Sequence, residues 1–311
     1  MARVLVFAPA PILTITVEAH RGEPEVHLHV GGQGVWQARM LVALGADVVL
    51  VCSVAGEAGT VARHLLADEG FRVVAIEREG VSPAYIHDRR GGERQPIVEA
   101  QGEPLSRHEL DALYSATLRE SADADLVILS GPEGDDMLEA DVYRRLASDM
   151  RELGRTVLVD LAGDRLEAAL EGGVDVLKVS HEELVADGRV ADGDDEAQLL
   201  AAAREIAAGG VGLVAVTRAA AGSIVVGQEG TWRVVAPELE PVDTRGAGDS
   251  YTAGLASVLA AGGSHADAVR TGAAAGAVNA TRRGLGTGDA EAIRAIAARV
   301  ELQALDDEAA R

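Results

Sequence analysis

Asp243-Thr244-Arg245-Gly246-Ala247-Gly248-Asp249-Ser250, followed at once by the apolar, small-residue run 251–261, is the stretch on which the reading of this chain turns. Two glycines stand where a helix begins, and the first N–H groups of a helix have no helical partner and carry the positive end of its dipole. An anion can be held there, with the backbone around Gly246, Ala247 and Gly248 converging on it. Asp249 falls in the first turn, placed to orient a hydroxyl and take its proton as that oxygen attacks phosphorus; a loose transition state asks for this proton only late. The same residue types also serve as helix caps, so the segment alone leaves capping by Asp243 or Asp249 open beside phosphoryl transfer.

Working outward, short apolar runs at 4–8, 48–52, 73–76, 126–129, 157–159, 176–179 and 213–216 read as buried strands. Helical patterns at 35–44, 59–69, 107–121, 136–153, 194–208, 248–261, 266–280 and 290–300 separate most of them. Such alternation predicts an α/β fold with a largely parallel sheet covered on both faces. Two stretches break the rhythm: 15–30 contains the alternating Glu25-Val26-His27-Leu28-His29-Val30, and 84–100 reads as two short strands around Arg90-Gly91-Gly92-Glu93. They predict a small separate sheet that either closes over a substrate, pairs with a second subunit or forms a surface hairpin. The end of the chain, 306–311, reads as a frayed tail.

The chain has 311 residues, 48% of them hydrophobic and 25% charged, which suits one large α/β domain. Its 28 Lys and Arg against 50 Asp and Glu give a net charge of -22, which argues against nucleic acid and anionic membranes as partners. A phosphate site must then be a local exception. Cys52 is the only cysteine and lies in an apolar run, so it reads as a buried structural thiol. Residues 1–7 run straight into a strand-like segment, and no apolar stretch reaches membrane-spanning length. A cytoplasmic protein is expected. Walker A spacing and a strand–GxGxxG–helix start are both absent.

DTRGAGDS followed by YTAGLASVLAAG resembles the C-terminal signature of the PfkB/ribokinase family of carbohydrate kinases. The resemblance spans most of the chain through GGQG entering ARMLVALG, LSGP, LKVSHEEL and VTRAAAG, and its register is most similar to the phosphofructokinase and tagatose-phosphate kinase branch. It implies one ribokinase-like three-layer sandwich over residues 1–311, with a small β-sheet lid from 14–31 and 83–100, and a homodimer formed through that lid. It also implies ATP as donor with Mg2+, Asp249 as catalytic base and Gly246, Ala247 and Gly248 as the anion hole. Glu183 and Asp243 would organise the magnesium-bound phosphates, and Lys178 would lie near nucleotide phosphates. Ser180 stands where the family's KPN-x-x-E has asparagine. Thr217, Arg218, Ala219, Ala221 and Gly222 would face the nucleotide, with Asn279 and the small residues 273–280 beside adenine.

The acceptor half departs from that pattern. Where the branch has NPA-x-D this chain reads Ala8-Pro9-Ala10-Pro11-Ile12, and GGKG-x-N becomes Gly31-Gly32-Gln33-Gly34-Val35-Trp36. Ile12, Gln33 and Trp36 thereby remove three polar handles, while Gly31 and Gly32 keep the backbone approachable. Arg89, Arg90 and Arg94 in the lid, and Arg245 in the signature, are candidates for an acceptor phosphate. His27 and His29 share a strand face as surface or substrate-lining residues, not zinc ligands. The expected activity is ATP-dependent phosphorylation of a hydroxyl on a sugar or sugar phosphate. A nucleoside kinase, or a catalytically weak protein binding a sugar-like ligand on a kinase fold, are the alternatives.

Overall fold

The computed structural model describes residues 1–132, 134 and 137–305. The chain opens with strand β1 (Arg3–Phe7), a hairpin of β2 (Ile12–His20) and β3 (Glu23–Gly31), helix α1 (Gln33–Ala43), strand β4 (Asp47–Ala55), helix α2 (Gly56–Ala67) and strand β5 (Arg72–Arg78). A second hairpin follows, β6 (Ala84–Asp88) and β7 (Gln95–Ala100), then α3 (Arg107–Ser121), β8 (Leu126–Ser130), α4 (Asp141–Glu152), β9 (Thr156–Asp160), α5 (Gly163–Gly172) and β10 (Val176–Ser180). The remainder comprises α6 (His181–Ala186), α7 (Glu196–Ala208), β11 (Leu213–Thr217), β12 (Ser223–Gly227), β13 (Gly230–Val235), α8 (Ala247–Ala260), α9 (His265–Ala280), α10 (Ala290–Ala297) and β14 (Glu301–Ala304).

The seven apolar runs expected as strands are β1, β4, β5, β8, β9, β10 and β11. They pair in parallel in the order β11-β10-β9-β8-β1-β4-β5. Alternate residues of each strand feed two cores. Val4, Leu50, Ile128 and Leu213 pack with α1, α2, α8, α9 and α10 on one face. Leu5, Val51, Leu129 and Val214 pack with residues of α3 to α7 on the other. Burial on both faces is why these strands read as continuous apolar runs, and it makes the body an α/β three-layer sandwich.

Three strands were not expected from the sequence: β12, β13 and β14 extend the sheet antiparallel beyond β11. Helix α5 and the short α6 were missed as well. The helix expected over 136–153 runs from Asp141 to Glu152 among the described residues. Asp136 lies outside them, as does the tail expected at 306–311.

The second sheet has the order β3-β2-β6-β7, so the two stretches that broke the sequence rhythm do build one small sheet. β2 pairs antiparallel with β3 and parallel with β6, and a bulge between Ile86 and His87 shifts the register against β7. Thr14, Thr16, His27, His29, Tyr85 and His87 point to the face turned toward α1. Ile15, Val17, Val26, Leu28, Ile86 and Val98 form the opposite face. The carboxyl ends of β8, β9, β10 and β11 bring Ser130, Asp160, Ser180 and Thr217 to the same edge of the large sheet. This is the edge at which open α/β sheets take up ligands.

Candidate active site

Helix α8 begins at this edge. Gly246 caps it with φ 71°, a left-handed conformation that favours glycine. Gly248 is required for a different reason: a Cβ there would stand 2.9 Å from Lys178 Nζ, so the absent side chain lets an ammonium rest against the first turn. Ala247 N donates to Thr244 O at 3.3 Å, so it is the next N–H groups of the first turn that meet a buried cation, and this donor set fits the phosphates of a nucleotide. Asp249 lies buried in that first turn. Burial, reinforced by Asp160 and Glu183 and opposed by Lys178, lifts its carboxyl to about 8.

Beneath Asp249 lies a buried polar cluster. Asp160, fully buried at the end of β9, accepts from Lys178 Nζ at 3.0 Å, Thr252 Oγ1 at 2.7 Å and Gln37 Nε2 at 3.0 Å. Gln37 Oε1 accepts in turn from Ser130 Oγ at 2.5 Å. Burial draws the Lys178 pKa down, but Asp160, Glu183 and Asp249 outweigh it and hold the ammonium charged.

Ser180 and Glu183 form a capping box on α6: Ser180 Oγ accepts from Glu183 N and Glu183 Oε2 accepts from Ser180 N. The serine at this position therefore acts as a helix cap. Asp243 is held by Arg245, which donates from Nε at 3.0 Å and Nη2 at 2.6 Å, and Arg89 Nη2 lies 3.6 Å away. Asp243 and Glu183 are thus engaged separately. Among the described residues no group of three or more His, Cys, Asp or Glu is arranged to hold a metal ion.

On the side expected for the nucleotide, Thr217 Oγ1 donates to Val179 O at 3.4 Å, and Arg218 is paired with Glu196 at 2.9 Å. Ala219 has φ 47°, a left-handed conformation costly for a residue with a side chain. Gly222 packs so closely on Val234 O that a Cβ would come within 2.1 Å. Asn279, expected beside adenine, has a different setting. Its Nδ2 donates to Arg245 O at 2.8 Å, and its Oδ1 accepts from Gly286 N at 2.9 Å and Thr287 N at 3.3 Å. It ties the turn that precedes α8 to the loop after α9.

A cavity of about 660 Å³ lies between the inner face of the small sheet, α1 and the loop 283–288. Five arginines line it, Arg39, Arg89, Arg94, Arg245 and Arg283, against the glutamates Glu18 and Glu69. Burial, then the charges of Arg39, His87 and Arg245, pull His29 down to about 4, so the positive potential comes from the arginines. Four of the five are ion-paired, Arg39 with Glu69, Arg89 with Glu18 and Asp243, Arg94 with Glu99 and Arg245 with Asp243, so the lining carries a modest excess of positive charge in a chain of net charge -22. Arg90 is placed apart from the other expected arginines: it closes on Asp88 in the exposed turn and is not among the residues lining this cavity.

A second cavity of about 520 Å³ reaches Gly131, Asp160, Arg165 and Glu183. Ile12, Gly32 and Trp36 line both cavities and form the wall between them. That wall is apolar: Ile12 is 4% exposed, and the buried Trp36 Nε1, beside Gly31, has no hydrogen-bond partner among the described residues. Gln33 uses its Oε1 to accept from Gly131 N at 3.0 Å, so this end of its amide braces the neighbouring loop.

The sequence matches the profile of the pfkB family carbohydrate kinases over residues 7–292. The chain belongs to the pfkB family of carbohydrate kinases. It is 33% identical over 239 residues to a 1-phosphofructokinase of Rhodobacter capsulatus, covering 73% of this chain and 72% of that protein. It is 32% identical over 294 residues to the bifunctional protein HldE of Nitrobacter hamburgensis, covering 91% of this chain and 57% of that protein. The chain thus spans little more than half the length of that relative. Phosphofructokinase-2 from Escherichia coli superimposes with a TM-score of 0.86 at 26% identity, over 96% of this chain and 99% of that one.

In this pfkB-family chain the sequence reading missed Gln37, Ser130, Asp160, Thr252 and the loop carrying Arg283. Asp160 did leave a trace, as the one charged residue ending the apolar strand β9. Gln37 left a fainter one, a polar residue on the buried side of α1. Arg283 sits in a glycine-rich stretch whose role emerges only when the lid is opposite.

Proposed function

We propose that this chain transfers the γ-phosphoryl group of ATP to a hydroxyl of a sugar phosphate. The observation that carries the reading is Asp249 buried in the first turn of α8 beside the Lys178 ammonium. Asp249 takes the acceptor's hydroxyl proton as the new O–P bond forms and the bond to the departing ADP oxygen breaks. The N–H groups of Gly248 and Asp249, with Lys178, stabilise charge on the transferred group. Glu183, whose Oε2 caps α6, and Asp243 would hold magnesium, which when bound would supply neutralisation of the nucleotide phosphates. The basic lid cavity supports an acceptor that already carries an anion. The apolar wall of Ile12 and Trp36 supports one presenting a hydroxyl-poor face between its anionic end and the reacting end.

Incubation with magnesium, ATP and a panel of sugars, sugar phosphates and nucleosides, with products read by mass, tests this directly. Sugar phosphates are expected to turn over best. Arg94→Ala and Arg283→Ala should each raise the acceptor KM about tenfold, the scale of one charge-assisted hydrogen bond. A preference for neutral sugars or nucleosides would sink the anionic-acceptor reading, and no product with any acceptor would sink the kinase.

The outer face of the lid supports a homodimer. Val26, Leu28 and Val98 are 57%, 48% and 47% exposed and neighbour Ile15, Val17 and Ile86 across the strands. Analytical ultracentrifugation should find a dimer that the double substitution Val26→Asp, Leu28→Asp converts to monomer. A monomeric unaltered chain at tens of micromolar would refute it.

A further inference from the structure

We propose that Gln37 is a positioning residue that links the acceptor-side helix α1 to the catalytic helix α8 through Asp160, an inference that rests on the kinase reading above. Gln37 stands one turn into α1, directly after the Gly31–Trp36 segment that walls both cavities. Its amide is oriented from both ends. Ser130 Oγ donates to Oε1 at 2.5 Å, and Nε2 donates to Asp160 Oδ2 at 3.0 Å. A reversed amide would set its oxygen against the Asp160 carboxylate, which has no proton to give it.

Asp160 carries the link onward. The same Oδ2 accepts from Thr252 Oγ1 at 2.7 Å, and Thr252 is one turn beyond Asp249 on α8. Oδ1 accepts from Lys178, whose ammonium rests against Gly248. Gln37, Ser130, Asp160 and Thr252 are all fully buried, so no water substitutes for a lost partner. Residues 93 and 123 positions away from Gln37 in sequence are joined by one side chain. The distance between the wall that shapes the acceptor pocket and the carboxylate that takes its proton is thereby held on both sides of Asp160. A misplacement of about 1 Å between reacting groups costs on the order of 100-fold in rate.

Two variants and two readouts test this. Gln37→Met keeps the volume and deletes both hydrogen bonds; kcat should fall at least tenfold, with acceptor KM and ATP Kd within threefold of the unaltered chain. Amide hydrogen exchange over 247–253 should accelerate at least fivefold, a readout that needs no turnover. Gln37→Glu keeps the shape but sets a second carboxylate against Asp160, near Lys178, Glu183 and Asp249. Its kcat, as a ratio to the unaltered chain, should be lowest at pH 8 and recover toward pH 6, where the introduced carboxyl group, once protonated, donates as the amide does. The inference is overturned if both variants keep kcat within twofold, or if the melting temperature falls while exchange over 247–253 is unchanged. An unaltered chain with no turnover on any acceptor would refute the kinase reading instead, and the exchange measurement alone would then decide whether the link exists.

Discussion

Asp249→Asn is expected to lose at least 1,000-fold in turnover and, at pH 8, to melt at a higher temperature than the unaltered chain. The first effect is the loss of a general base, for which 100- to 10,000-fold is the ordinary range. The second follows from linkage. Burial and the Asp160 and Glu183 charges raise the Asp249 carboxyl from 3.8 to about 8, so the native state holds a proton that the unfolded chain releases. Its contribution to stability is fully present below about pH 4 and is lost as pH rises through about 8. Asparagine has no such dependence, so its advantage should be near zero at pH 4 and reach a few kcal/mol above pH 8. Urea titrations at pH 4, 6 and 8.5 without ligand measure it; an advantage independent of pH would be incompatible with the assignment. The same pKa sets the acid limb of kcat/KM, which should climb with pH up to about 8.

Lys178→Met should be the most destabilising single substitution in the site, at about 3–5 kcal/mol. The ammonium is 6% exposed and the Asp160 carboxylate 0%, so methionine fills the volume but leaves a buried charge with only neutral donors. Adding Asp160→Asn removes the stranded charge and should recover about half of the loss. Equilibrium unfolding in urea provides the cycle. Strictly additive losses, or a loss below about 1 kcal/mol for Lys178→Met alone, would mean that the pair is not the electrostatic centre of the cluster.

What the sequence disclosed follows from what each element buries. The seven parallel strands are apolar on both faces, and their runs mark them without help from the rest of the chain. β14 is different: of Glu301–Ala304 three residues are exposed, and the segment is a strand because β13 lies beside it. The first turn of α8 was legible as a glycine-rich helix start because Gly246, Gly248 and Asp249 are neighbours in sequence. Asp160 and Gln37 were not, since each is an ordinary residue until topology joins them across 123 positions. The lid arginines fall between: a run of Arg89, Arg90 and Arg94 was visible, but which ones face inward depends on the turn at Arg90–Gly92, where Asp88 draws Arg90 away.

The parallel pairing of β2 with β6 bears on how this molecule is assembled. β2 and β3 pair as neighbours in the chain, yet Leu13 meets its second partner, Ala84, across the intervening β4, α2 and β5. Closing so long a loop costs entropy that grows with the logarithm of its length and is repaid once the main sheet has gathered the ends of β1 and β5. The small sheet is therefore closed by a strand pairing between Leu13 and Ala84, and within the N-terminal half only the β1–β8 pairing of the large sheet, Val4 with Leu126, joins strands farther apart in the chain.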